Sequence, residues 1–207
     1  MPRTADPGVR IALVERAAEM LAHREVVTLR ALVDSVGTST MAVYTHFGGM
    51  DGLWRAVRQE GFNRLAKQLD LVRVSPDPVA DLMALGAAYA RNALANPYLY
   101  RTMFDAAVDL ENPEVADAGF QRLVAAAERA RKSQRFANDC DPLAVATRLW
   151  AAGHGLVMLV ITGVLPSEAV APNATGTAAA LFVAAGDDPA RCHRSVQAGW
   201  SVQETPT

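Results

Sequence analysis

The chain has 207 residues, 51% of them apolar and 20% charged, and a formal net charge of −2. That length accommodates one or two domains at about 100–200 residues each, and two distant cysteines, Cys140 and Cys192, exclude a disulfide scaffold or a cysteine metal motif. The Met1-Pro2-Arg3 start leads into polar residues, and the most apolar window (151–165) contains His154 and is shorter than the ~20 residues of a membrane helix. A reduced, cytoplasmic protein with no membrane partner is the expectation. The charge is unevenly spread: residues 1–75 hold 10 Lys+Arg against 8 Asp+Glu, whereas residues 76–207 hold 10 against 14. A slightly basic head on a more acidic body suits a partner carrying negative charge.

Alanine is abundant and strand-like alternation is scarce, which favours helices. Asp or Asn precedes Pro six times, at Asp6-Pro7, Asp77-Pro78, Asn96-Pro97, Asn112-Pro113, Asp141-Pro142 and Asp188-Pro189. The Asx side chain accepts from a free N–H of the first turn, and proline has no N–H to waste there. Helices are therefore predicted near 7–23, 78–94, 97–108, 113–136, 142–163 and 189–199. Four more are predicted near 29–36, 40–46, 51–70 and 174–185. The fold class is all-α: an N-terminal three-helix helix-turn-helix domain (1–50), a connecting helix (51–75), a C-terminal helical bundle (76–202) and a tail (203–207).

Residues 28–57 are the specific part. Thr28 caps a short helix whose Leu29, Leu32, Val33 and Val36 recur at helical spacing, and Gly37 ends it. Thr38 and Ser39 offer caps for a second short helix that closes at Phe47 and Gly48-Gly49. This is the plan of a helix-turn-helix. No carboxylate occurs between Ser35 and Met50, so nothing there repels phosphate. Val43 and Phe47 point to the core, leaving Thr40, Met41, Tyr44 and Thr45 outward. A reading helix enters the major groove N-terminus first. There, Thr hydroxyls suit base edges and Thr or Met suits a thymine methyl. Tyr44 and His46 suit phosphate oxygens, and Arg3 and Arg10 are further candidates for phosphate or the minor groove.

Residues 11–57 resemble the DNA-binding domain of the TetR family of transcriptional regulators. The matching features are Ala17-Ala18, Met20-Leu21, Thr28-Leu29-Arg30, Val36-Gly37-Thr38-Ser39, Tyr44-Thr45-His46-Phe47, Leu53 and Ala56-Val57. The resemblance implies a backbone contact from Tyr44. It also exposes two departures: Met50 stands where the family has a phosphate-binding lysine, leaving Arg55 and Arg58 as candidate replacements, and Glu25 stands where a glycine often follows the first helix. The expected DNA-binding set is Thr28, Thr38, Ser39, Thr40, Met41, Tyr44, Thr45, His46 and Met50.

Trp150, His154 and Gly155 resemble the Trp…His-Gly signature of one TetR C-terminal class. Thr147, Trp150, His154, Met158 and Ile161 share a helix face, and an aromatic, an imidazole and a thioether together can line an apolar cavity with one polar handle. The simpler readings are a core tryptophan and a packed histidine. Met83, Tyr89, Met103, Phe104, Phe120 and Leu123 complete the candidate ligand-binding set with Trp150, His154 and Met158, in positions where the family encloses its ligand. The resemblance implies a homodimer joined through helices near 142–163 and 174–185, with Ala151, Ala152, Gly153, Gly155, Leu156, Val157, Val160 and Leu181 at the interface.

The expected function is that of a ligand-responsive regulator, most often a repressor. It would bind a palindromic operator in double-stranded DNA and release it when a small hydrophobic effector binds, without catalysis, metal or cofactor. Two alternatives stay open: a helix-turn-helix regulator with no small-molecule effector, and an α-helical enzyme. Against the enzyme, the chain has no Gly-rich phosphate loop, no paired metal ligands and no Gly-x-Ser-x-Gly elbow, and its four histidines are scattered.

Overall fold

A computed structural model describes residues 6–104 and 109–201. Among them are ten α-helices and no strand: α1 (Pro7–Ala22), α2 (Leu29–Val36), α3 (Thr40–Phe47), α4 (Met50–Asp70), α5 (Pro78–Ala95), α6 (Pro97–Met103), α7 (Pro113–Lys132), α8 (Pro142–Ile161), α9 (Val170–Ala184) and α10 (Pro189–Ser201). A 3-10 turn at Ser167–Ala169 precedes α9.

All six Asx-Pro pairs begin helices. Asp6 accepts from Gly8 N at 2.9 Å, Asp141 from Leu143 N at 2.9 Å, Asn112 from Glu114 N at 3.1 Å and Asp188 from Arg191 N at 2.8 Å. Asp77 takes both Val79 N and Ala80 N. Asn96 is the exception: it makes no side-chain cap bond, and its side-chain Oδ1 accepts from Arg64 Nη1 at 3.2 Å. Three helices differ most from expectation. α9 begins at Val170, four residues before its predicted start. α7 stops at Lys132 because Arg135 and Phe136 turn into the core. α6 stops at Met103, and residues 105–108, the rest of its predicted span, lie outside the described residues.

The chain forms two compact units. The first comprises residues 1–64 and 96–115, the second residues 65–95 and 116–207. In the first, α1, α2 and α3 enclose Leu13, Ala17, Met20, Leu32, Val43 and Phe47, joined by Leu53, Ala56 and Val57 of α4 and by Leu99 of α6. Gly37 sits at φ 73° in the turn between α2 and α3, a conformation that costs an L side chain ~1 kcal/mol or more. α4 and α6 approach closely at Gly61, where an added Cβ would stand 2.4 Å from Met103 Cγ. The segment 96–115 is thus part of the first unit through α6, α1 and α4.

In the second unit α5 packs against α8, α9 and α10. Its polar centre is Arg135, 1% exposed, which bonds to both carboxylate oxygens of Asp187 at 2.7 Å and to Asp77 at 2.6 Å. Ser195 accepts from Arg135 at 3.0 Å and donates to Asp77 at 2.5 Å. Arg129 similarly bonds to Asp81 at 2.6 Å and to the Ser75 carbonyl, tying down the α4–α5 connection. Buried charges survive only when paired in this way.

Candidate functional site

α3, the second helix of the helix-turn-helix, is short and held from beneath. Val43 is fully buried and Phe47 nearly so, while Met41 is 67% and Tyr44 55% exposed. Thr40, Met41, Tyr44 and Thr45 therefore form one solvent-facing side of α3. Ser39 is the N-cap of α3 but makes no side-chain cap bond. Thr45 Oγ1 donates to the Met41 carbonyl at 2.8 Å, so its hydroxyl proton is engaged and it offers lone pairs and a methyl group outward. Thr38 is half-buried and its N–H closes the turn onto the Val33 carbonyl at 3.0 Å. Thr28 caps α2 by accepting from Ala31 N at 3.2 Å. The half-buried His46 ring lies 6.0 Å from the Phe47 ring.

The position of the family lysine has a packing explanation. Met50 is half-buried against the core of the first unit. Of the two candidate substitutes, Arg58 Nε donates to the Met103 carbonyl at the end of α6 (2.9 Å), whereas Arg55 is exposed. Arg3 lies outside the described residues. The left-handed position after α1 is taken by Arg24, at φ 58°. Arg24 bonds to Tyr98 of α6. Glu25 pairs with Arg16 at 3.1 Å, and Arg16 also reaches Ser35 of α2 at 3.2 Å. These cross-links had no sequence signal, because none joins residues at the three- or four-residue spacing of a helix.

The candidate effector residues do not form one cluster. Four of them meet in the second unit. Tyr89 Oη stands 3.2 Å from His154 Nδ1 and accepts from Trp150 Nε1 at 3.3 Å. Phe120 packs edge-on against Trp150, with ring centroids 5.8 Å apart. Burial disfavours the charged imidazole and lowers the His154 pKa from its ordinary value. Trp150 is not the core residue the simpler reading expects: it is 38% exposed. α8 turns Val145, Ala146, Leu149 and Val157 inward, so the face of Thr147, Trp150 and His154 is its flank.

Leu123 and Met158 are half-buried. Met83 is buried and packs toward Gly199 of α10. Met103 and Phe104 belong to the first unit, Met103 against Gly61 and Phe104 edge-on to Tyr100 and Phe62. A cleft of about 290 Å³ opens elsewhere in the second unit, beside Cys140, Val145, Arg148, Leu181 and Ala184, and none of the candidate effector residues lines it.

α8 leaves Leu143, Ala151, Gly155 and Leu159 exposed on its outward side and Trp150 exposed on its flank. With 20 residues and a mean hydropathy of 1.5 it reaches the length and composition of a membrane-crossing helix, contrary to the shorter window read from sequence. Its inward stripe nevertheless packs in the second unit with α5 and α9. Cys192 is buried, and burial pushes its thiol up to about 11, so it is not poised as a nucleophile. Among the described residues no group of three or more His, Cys, Asp or Glu could hold a metal ion.

Residues 82–183 match the family model described as the tetracyclin repressor-like C-terminal domain. The chain is 26% identical over 186 residues to the uncharacterized HTH-type transcriptional regulator Rv0681 of Mycobacterium tuberculosis (strain ATCC 25618 / H37Rv), covering 89% of this chain and 84% of that one. Its fold is similar to that of the TetR family protein CprB from S. coelicolor A3(2), with a TM-score of 0.69, 20% identity, and coverage of 96% of this chain and 100% of that one. It is also similar to RolR solved in complex with resorcinol, with a TM-score of 0.59, 16% identity, and coverage of 92% and 93%. With a helix-turn-helix in its first unit and this C-terminal domain in its second, the chain has the architecture of the TetR family of DNA-binding transcriptional regulators.

Proposed function

We propose that the protein is a cytoplasmic, homodimeric repressor that binds a palindromic operator through α3 and releases it when a small, largely apolar effector binds the second unit. The observation that carries the reading is the exposed, carboxylate-free face of α3 bearing Thr40, Met41 and Tyr44 above a packed three-helix core. Thr40 and Met41 read base edges, and Tyr44 bonds phosphate. The exposed Leu143, Ala151, Gly155 and Leu159 of α8, together with small exposed residues of α9 such as Gly176 and Ala180, supply the surface for the second copy. A two-fold dimer spaces its reading helices about 34–36 Å apart.

The effector belongs beside Tyr89, Phe120, Trp150 and His154, where aromatic faces meet one polar chain. RolR's complex with resorcinol, a small aromatic ligand, supports an effector of similar size. α4, continuous across the boundary between the units at Arg64, carries the coupling, which is reciprocal: effector and operator weaken each other's binding by the same factor. Selecting random duplex DNA with the purified protein tests the reading. Enrichment of a palindrome whose binding weakens steeply with salt is the expected outcome, and absence of any enriched sequence overturns it.

A second reading, a regulator without a small-molecule effector, draws on the mutual engagement of Tyr89, Trp150 and His154. Titration of small aromatic compounds against Trp fluorescence and operator release separates the two.

A further inference from the structure

Arg10 lies within the first turns of α1, where its Nη2 bonds to both carboxylate oxygens of Glu111 at 2.7 Å. The same guanidinium stands 5.3 Å from the centroid of the Phe47 ring. Phe47 is the last residue of α3, and the Gly48-Gly49 turn follows it. A Cβ on Gly49 would meet the Tyr44 ring at 3.8 Å. The charge of Arg10 is therefore held at the C-terminal end of the reading helix, the end that also carries exposed Tyr44. Glu111 comes from the α6–α7 connection, and the next residue, Asn112, donates its N–H to buried Gln59 of α4 at 2.8 Å. The pair is open to solvent, with side chains 38% and 39% exposed. Ion pairs this exposed are weakly held and screened by salt.

We propose that Arg10 is a phosphate-contacting residue of the DNA interface, and that Glu111 occupies its guanidinium in the free protein as an internal substitute for a DNA phosphate. The inference rests on the DNA-binding reading above. Carboxylate and phosphate both present paired anionic oxygens to the planar guanidinium, so one displaces the other without rebuilding the site. The Phe47 face supports the cation in either state. Glu111 stands two residues before α7, so the α6–α7 connection holds an electrostatic grip on α1 that opposes DNA binding.

The test measures binding to a short random-sequence duplex and to the selected palindrome between about 50 and 200 mM salt. Arg10→Gln is expected to weaken binding to both duplexes and to flatten the log–log salt slope by ~0.9 per head. Arg10→Lys keeps the charge and restores the slope. Glu111→Gln is expected to tighten binding on both duplexes by about 1.5- to 5-fold per head, the strength of the exposed ion pair that no longer has to be broken, and to lose that gain in the Arg10→Gln background. Glu114→Gln removes a neighbouring charge whose side chain does not touch Arg10, and measures general relief of repulsion.

Thermal unfolding of each variant reports its folding. An unchanged slope in Arg10→Gln overturns the proposal. So does a Glu111→Gln gain that Glu114→Gln equals or that survives without Arg10. Failure of the unaltered protein to bind either duplex defeats the DNA-binding reading itself, whereas normal binding with silent Arg10 and Glu111 variants defeats only this inference.

Discussion

Two arginines show how differently the two units use charge. Arg135 in the second unit is almost wholly buried, and three partners from three places in the chain satisfy it. Arg10 in the first unit is half-exposed and has one acid and one ring. The first arrangement pins the α4–α5 connection, the α7–α8 connection and α10 together, and salt reaches it poorly. The second is open to competition from any anion of suitable shape. A buried ion network therefore serves the architecture of the C-terminal unit, while an exposed pair remains available for exchange in the head.

Arg135→Met breaks that contrast most sharply. It strands the buried carboxylate of Asp187, and the expected loss is about 3–5 kcal/mol, read by denaturant unfolding. A loss below about 1 kcal/mol would mean that the network is dispensable. The pH dependence follows from Asp77. Burial opposes its ionisation, but bonds from Ser195 and the Ala80 N–H, with the Arg135 guanidinium beside it, outweigh that and hold its carboxyl below the ordinary value. A depressed acid contributes stability that is present above the unfolded pKa of about 3.9 and lost as pH falls through the folded value. Stability should thus drop on acidification below about pH 4, and Asp77→Asn should flatten that part of the profile.

In the head, Gly61→Val probes the close approach of α4 and α6. The new side chain collides with Met103, and the overpacking is expected to cost about 1–3 kcal/mol. Wild-type unfolding of this variant would show that α6 yields easily. Tyr44→Phe should then weaken binding to every DNA sequence by about 1–2 kcal/mol while leaving the preferred site alone. Thr40→Ala or Met41→Ala should instead change which base pairs are preferred, each by about 1–3 kcal/mol. An unaltered operator in both would assign the reading face elsewhere.

The smallest effect belongs to His154. Its pKa is lowered by burial, so the imidazole stays neutral where a free histidine would charge. Its contribution to stability is present above about pH 6.5 and declines as pH falls below that value. His154→Gln should make unfolding stability flatter between pH 7 and 5 by less than about 1 kcal/mol, and an identical profile in both proteins would show that the ring is indifferent to its surroundings.

Much of the fold is local chemistry and was readable along the chain. Each Asx-Pro pair encodes a helix start within three or four residues, and the Thr28–Gly37 and Ser39–Gly48 frames encode the reading motif the same way. The outward side of α3 followed from helical periodicity, because Val43 and Phe47 had to face inward. The candidate effector set was less legible. Met103 and Phe104 look like pocket residues by composition, yet they pack in the head, since a Met–aromatic mixture satisfies any apolar environment equally well.

The all-helical class, the helix starts and the helix-turn-helix plan are set locally, because caps, turns and periodicity act over a few residues. Only the tertiary structure decided that α6 joins the head, that Arg24 takes the left-handed position and that Trp150 lies on a flank. It also decided that Arg135 and Arg10 have such different lives. Those outcomes depend on partners 52 to 118 residues apart in the second unit and 45 to 101 apart in the head, and on how much water each pair retains, which no local pattern records.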